Sequence, residues 1–185
     1  ADPKAVTAGE VYVDYVAYLG VFNADAQLGV LGLECSLRFD DATRSGVDIN
    51  SWTLCADIDY PHDEWGQRSG DGNRIVWILS ESGCQQEEPA GIGTGVTAIA
   101  GFFTLTAYSE DRLQIAPWKG TDPDHIPSCS IADCNGDANY FIAPENQGYV
   151  AFSDDGSLKG HLPCTQRIQE KTTWGTVKDL YNDRR

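Results

Sequence analysis

The sequence predicts an all-β fold: a secreted, disulfide-stabilised β-sandwich of short antiparallel strands. Three observations carry this reading. Apolar residues alternate with a period of two in the clearest segment. Turn-rich pieces break the chain at short intervals, helped by 19 glycines. The six cysteines form an even set, as in an exported scaffold.

The elements follow in order. Residues 11–22 are rich in β-branched and aromatic side chains, which suits a strand. Asn23, Ala24 and Asp25 then supply a turn. Over residues 30–39 the odd positions Leu31, Leu33, Cys35, Leu37 and Phe39 are apolar, and Glu34, Ser36 and Arg38 alternate with them. That pattern predicts one buried face and one wet face. Further strands are expected at 51–58, 74–80, 96–108, 112–118, 139–143 and 149–152. No segment of the body has a helical period. The architecture expected is immunoglobulin/cohesin-like, in one sandwich spanning residues 11–164. Residues 1–10 form an extended N-terminal segment. Residues 165–185 form a tail, in which Trp174, Val177, Leu180 and Tyr181 fall on one side of a short helix or turn capped by Thr172 or Thr173.

At 185 residues the chain is one domain with tails, and 41% hydrophobic residues suffice for a core. The formal net charge of −15 opposes phosphate backbones and anionic lipid. Nucleic-acid binding is therefore not expected. The longest apolar runs are too short for a membrane helix, so membrane insertion is not expected either. The chain starts at Ala1 and contains no Met, as expected of a mature form after signal-peptide cleavage. The alternative is a trimmed chain. Export suits Cys35, Cys55, Cys84, Cys129, Cys134 and Cys164 as three disulfides. Spacing cannot choose their pairing. Flanking hairpins favour Cys55–Cys84 and Cys134–Cys164, which leaves Cys35–Cys129.

The ending Thr172-Thr173-Trp174-Gly175-Thr176-Val177-Lys178-Asp179-Leu180-Tyr181 resembles the T-T-W-G-x-[IV]-K-x-L-Y terminus of uncharacterised secreted bacterial β-sandwich proteins. Shorter likenesses lie in Tyr18-Leu19-Gly20-Val21-Phe22-Asn23, in Gly32-Leu33-Glu34-Cys35-Ser36-Leu37, in Asp133-Cys134-Asn135-Gly136 and in Leu162-Pro163-Cys164. The resemblance implies an exported sandwich and supplies no activity.

Asp133, Asn135, Asp137 and Asn139 place oxygen donors at alternate positions, as in a calcium loop. Ala138 stands where that loop wants Gly, and Pro144 where it wants an acid. The other reading is an Asx-rich turn. Further acids, among them Asp57, Asp59, Asp63, Glu64, Asp122, Asp124, Asp154 and Asp155, read as solvated turns or loop-tip cation ligands. Calcium is the one cofactor to consider. For catalysis there is no G-x-S-x-G, and His62, His125 and His161 lie in polar loop-like stretches. No carboxylate pair can be singled out among 28 acids. Trp52 and Trp77 read as core, whereas the polar surroundings of Trp65 make it the candidate for stacking on a sugar.

The function expected is therefore non-enzymatic: an extracellular structural or adhesive protein, a homo-oligomer or homopolymer that forms a fibre by terminal strand addition. Residues 11–22 hold neither Lys nor Pro to blunt an edge. Val6, Val11, Val13, Tyr15 and Trp174 are the assembly candidates. The rival readings are a calcium- or polysaccharide-binding module and a secreted hydrolase.

Overall fold

The computed structural model describes residues 7–40, 46–61, 65–67, 69–78, 83–87, 95–120, 126–136 and 139–161. Eleven strands appear among them: β1 (Ala8–Glu10), β2 (Asp14–Ala24), β3 (Gly32–Phe39), β4 (Val47–Leu54), β5 (Ile58–Pro61), β6 (Gly72–Val76), β7 (Val96–Ala107), β8 (Asp111–Ala116), β9 (Ser130–Ala132), β10 (Asn139–Phe141) and β11 (Tyr149–Ser153). The helix in the described residues is a single 3-10 turn, Pro144–Asn146. The tail helix expected around Trp174 lies outside the described residues.

The larger sheet has eight strands in the order β1-β11-β8-β3-β6-β5, with β9 pairing both β3 and β10. The smaller has the order β2-β7-β4. All pairs are antiparallel except β1 with β11. Between the sheets lies the core. Leu33, Cys35, Leu37 and Phe39 of β3 and Ile75 of β6 meet Leu19, Ile49, Phe103 and Leu105 of the smaller sheet. Trp77, expected as core, is 2% exposed. Polar ties also cross the layers. Asp59 Oδ2 accepts from Trp52 Nε1 of β4 at 2.9 Å and from Asn73 Nδ2 of β6 at 3.0 Å.

The odd positions of β3 are buried as the alternation predicts. The even ones are not uniformly wet: Glu34 and Ser36 are buried and Arg38 is exposed. A loop folds over that face. Trp118 and Ser128 pair through both backbone hydrogen bonds, at 2.7 and 2.9 Å. The Trp118 ring occupies the space a Cβ on Gly72 would need, 2.0 Å away. Beneath it Ser128 Oγ donates to Glu34, Arg74 forms an ion pair with Glu34 at 2.6 Å, and Ser36 Oγ donates to the carbonyls of Ala116 and Pro117. The single strand expected at 51–58 is two: β4 in one sheet and β5 in the other.

Candidate assembly edge

The N-terminal segment was expected to be free for donation to another copy. Over Ala8–Glu10 it pairs instead with β11 of its own chain, in parallel register Ala8↔Ala151, Gly9↔Phe152 and Glu10↔Ser153. Ala151 N donates to Thr7 O at 2.9 Å and extends the joint. Gly9 is required here, because a Cβ would meet the Phe152 ring at 2.8 Å and Tyr15 at 2.9 Å. The chain then crosses to the smaller sheet. Tyr12 takes φ 62°, a conformation costly for a bulky residue, and its N–H donates to Ala107 O.

The assembly candidates divide accordingly. Val11 is buried in the protein's own core, which withdraws it from any interface. Tyr15 packs its ring 5.6 Å from Phe152, and its hydroxyl accepts from Glu10 N at 2.8 Å. Val13 and Val16 are exposed. Val6 and Trp174 lie outside the described residues. Sequence reasoning missed Tyr12 and Tyr108, which are exposed and meet edge-to-face at 6.2 Å. Val11 and Val13 flank Tyr12 and Ala107 precedes Tyr108, so neither stands out from its apolar neighbours in the sequence.

The candidate edge is β2. It is an end strand of the smaller sheet, eleven residues long, and among the described residues only β7 pairs with it. The other tail leaves close by. His161 and Tyr149 exchange backbone hydrogen bonds, both 2.9 Å, on the β11 edge that also holds β1. The remaining 24 residues, 162–185, follow from there.

The cysteines depart from the expected pairing. Cys84 and Cys134 are bonded, with Cα atoms 5.5 Å apart, so neither Cys55–Cys84 nor Cys134–Cys164 can form. The cause is non-local. Val30 bridges Gln85, and Cys134 N donates to Leu28 O, so both cysteines converge on the segment 28–30. The bond links residues 50 apart and in the chain-entropy account contributes about 4 kcal/mol. Cys35, Cys55 and Cys129 carry thiols in this structure, and Cys164 lies outside the described residues. Burial pushes the Cys55 thiol up.

Trp65 is not a ligand platform. It is 7% exposed, edge-on to Trp52 at 5.9 Å and 5.6 Å from Phe103. Gly66, next in the chain, takes φ +77° and lies against Ile49 of β4. Among the described residues Trp65 Nε1 has no hydrogen-bond partner.

At the calcium-loop candidate, Asp133 is buried. Its Oδ1 accepts from Asn135 N at 3.1 Å, and its Oδ2 faces the Tyr140 hydroxyl at 3.4 Å. Those contacts are those of an Asx turn. Asp137 and the Asn139 side chain lie outside the described residues, as do His62, Asp63, Glu64, Asp122, Asp124 and His125. Among the described residues no three His, Cys, Asp or Glu side chains converge as metal ligands. None of their helices is long and apolar enough to cross a membrane.

No family model and no curated protein matches the chain. Two solved structures are similar in outline. One is a cohesin module from a Clostridium perfringens ATCC13124 family 33 glycoside hydrolase: TM-score 0.47, 13% identity, covering 81% of this chain and 93% of that one. The other is the third cohesin ScaC, in complex with the ScaB dockerin, from Acetivibrio cellulolyticus: TM-score 0.48, 9% identity, covering 80% of this chain and 94% of that one. Neither likeness bears on function.

Proposed function

We propose that this chain is a non-enzymatic extracellular structural or adhesive protein whose copies join when a terminal segment of one adds to the β2 edge of another. The observation that carries it is that edge: eleven residues without Lys or Pro, with Val16 51% exposed. Each added backbone hydrogen bond contributes roughly 0.5–1.5 kcal/mol net, so a strand of ordinary length makes a firm joint. The Cys84–Cys134 bond and the two-layer core keep each subunit rigid. Sedimentation and electron microscopy of the full chain test the reading. Concentration-dependent oligomers or fibres are expected, and Val16→Lys, a charge on the acceptor edge, should abolish them. A wild-type chain that stays monomeric at high concentration would overturn it. The second reading, a polysaccharide-binding module, would then rest on the exposed Tyr12–Tyr108 pair.

A further inference from the structure

The link between β1 and β2 turns sharply where the sequence favours extended chain. Among the described residues two that are not glycine take a positive φ, Asn23 at 59° and Tyr12 at 62°. Asparagine tolerates that conformation; a bulky aromatic residue adopts it only under strain. Tyr12 stands between Val11 and Val13, and β-branched and aromatic residues prefer a strand. Local preference and the observed turn therefore conflict at this link. The turn is tied by the Tyr12 N–H bond to Ala107 O and by the ring contact with Tyr108, and the Tyr12 and Val13 side chains are exposed. β1 itself is detachable. It is three residues long, stands at the end of the larger sheet and pairs there with β11, so its withdrawal breaks no other pair among the described strands. The slot it occupies is specific: Phe152 and Tyr15 close over Gly9, the Tyr15 hydroxyl accepts from Glu10 N, and Val11 fills a place in the core.

We propose that β1 is exchanged between copies of this chain. The turn at Tyr12 straightens, residues 11–13 run on into β2 as one strand, and residues 8–11 of each chain take their counterpart's place beside β11 of another. A second copy is the occupant because its own β1 reproduces every contact the slot offers. The pairing with β11 and the burial of Val11 are then the same in the exchanged and unexchanged forms and cancel. What differs is the strain released at each Tyr12, set against the lost Tyr12–Ala107 bond and the entropy of association, so exchange grows with concentration. Val11 has to leave the core first, so folded chains exchange slowly, and folding at high concentration is the route. The acceptor here is β11 and not the β2 edge, so exchange stands or falls separately from strand addition.

Refolding of the full chain tests it. The Val16→Lys chain, in which addition to the β2 edge is blocked, is refolded from denaturant at high concentration with its disulfide intact. Sedimentation should then find dimers that persist on dilution. Adding Tyr12→Gly, which accepts φ 62° without strain, should cut their yield severalfold. Adding Tyr12→Ala, which keeps the strain and removes the ring contact with Tyr108, should leave the yield high. No dimer from the Val16→Lys chain, or equal yields with Tyr12→Gly and Tyr12→Ala, would overturn the proposal. Isotope-filtered NOE spectra of dimers refolded from an equal mixture of 13C-labelled and unlabelled chains show where β1 lies. Contacts should run from Gly9 of one chain to the Phe152 ring of the other. Contacts confined to chains of a single label would overturn the exchange and return β1 to its own chain.

Discussion

Cys35 of β3 and Cys129, which leads into β9, each lie one residue beyond the Glu34–Ser130 pair that joins the two strands, near enough for Cys129 to act on the Cys35 thiol. Both are buried. Burial pushes the Cys129 thiol up to about 12, with Glu34 adding to it. Cys35 is raised well above the ordinary range, first by burial, then by Cys129 and Glu34.

The first prediction concerns this pair. In exported protein, non-reducing peptide mapping should recover Cys35 and Cys129 as one linked peptide. Oxidation removes two protons and two electrons, which a disulfide of an oxidoreductase accepts. Recovery of both as alkylated thiols from native material would count against it. The reduced protein carries a further signature. Its folded thiols have raised pKa values, so their contribution is intact below the ordinary thiol value of 9.0 and is lost as pH rises toward about 12. Denaturant titrations should show reduced protein weakening across that window and oxidised protein lacking this component.

Gly29 offers a second test. It lies at φ +67°, and a Cβ would stand 2.2 Å from Cys134 Sγ. Gly29→Ala should cost roughly 2 kcal/mol or more, from left-handed strain and collision with the disulfide. Chemical denaturation of mutant and wild type measures it, and equal midpoints would contradict the close approach.

At Trp65 two substitutions should separate. Trp65→Ala removes a ring packed on Trp52 and Phe103 and should cost about 3–5 kcal/mol. Trp65→Phe keeps most of the packing and deletes a donor without a partner, so its cost should stay below about 1.5 kcal/mol. Similar losses in both would mean that the indole N–H has a role the structure does not display.

The Asp133 turn gives a fourth. Asp133→Asn keeps the acceptor for Asn135 N and should change stability little. Melting temperatures in calcium and in EDTA should coincide. A rise with calcium, by mass action, would restore a cation site at this loop.

The odd-numbered face of β3 was legible because its period of two is local. Its other face was not, because Trp118 and Ser128, which cover it, lie 80 and more residues away in sequence. β1 and β9 have three residues each, too few to show any period. The Cys84–Cys134 pairing depends on where both segments meet residues 28–30, which no spacing encodes. The burial of Trp65 is not legible because its sequence neighbours are polar, whereas Trp52 and Phe103, on which it packs, are distant in the chain. The absence of Lys and Pro from β2 was readable at once. That β1 stays with its own β11 depends on register.

The parallel pairing of β1 and β11 has a mechanical consequence. Once the single His161–Tyr149 bridge opens, a pull between the two termini draws Ala8 and Ser153 in opposite directions along neighbouring strands. The hydrogen bonds between them are then loaded side by side in shear and yield together, where a hairpin would unzip one bond at a time. A chain of such subunits under tension would carry its load across the short strand Ala8–Glu10 in every link.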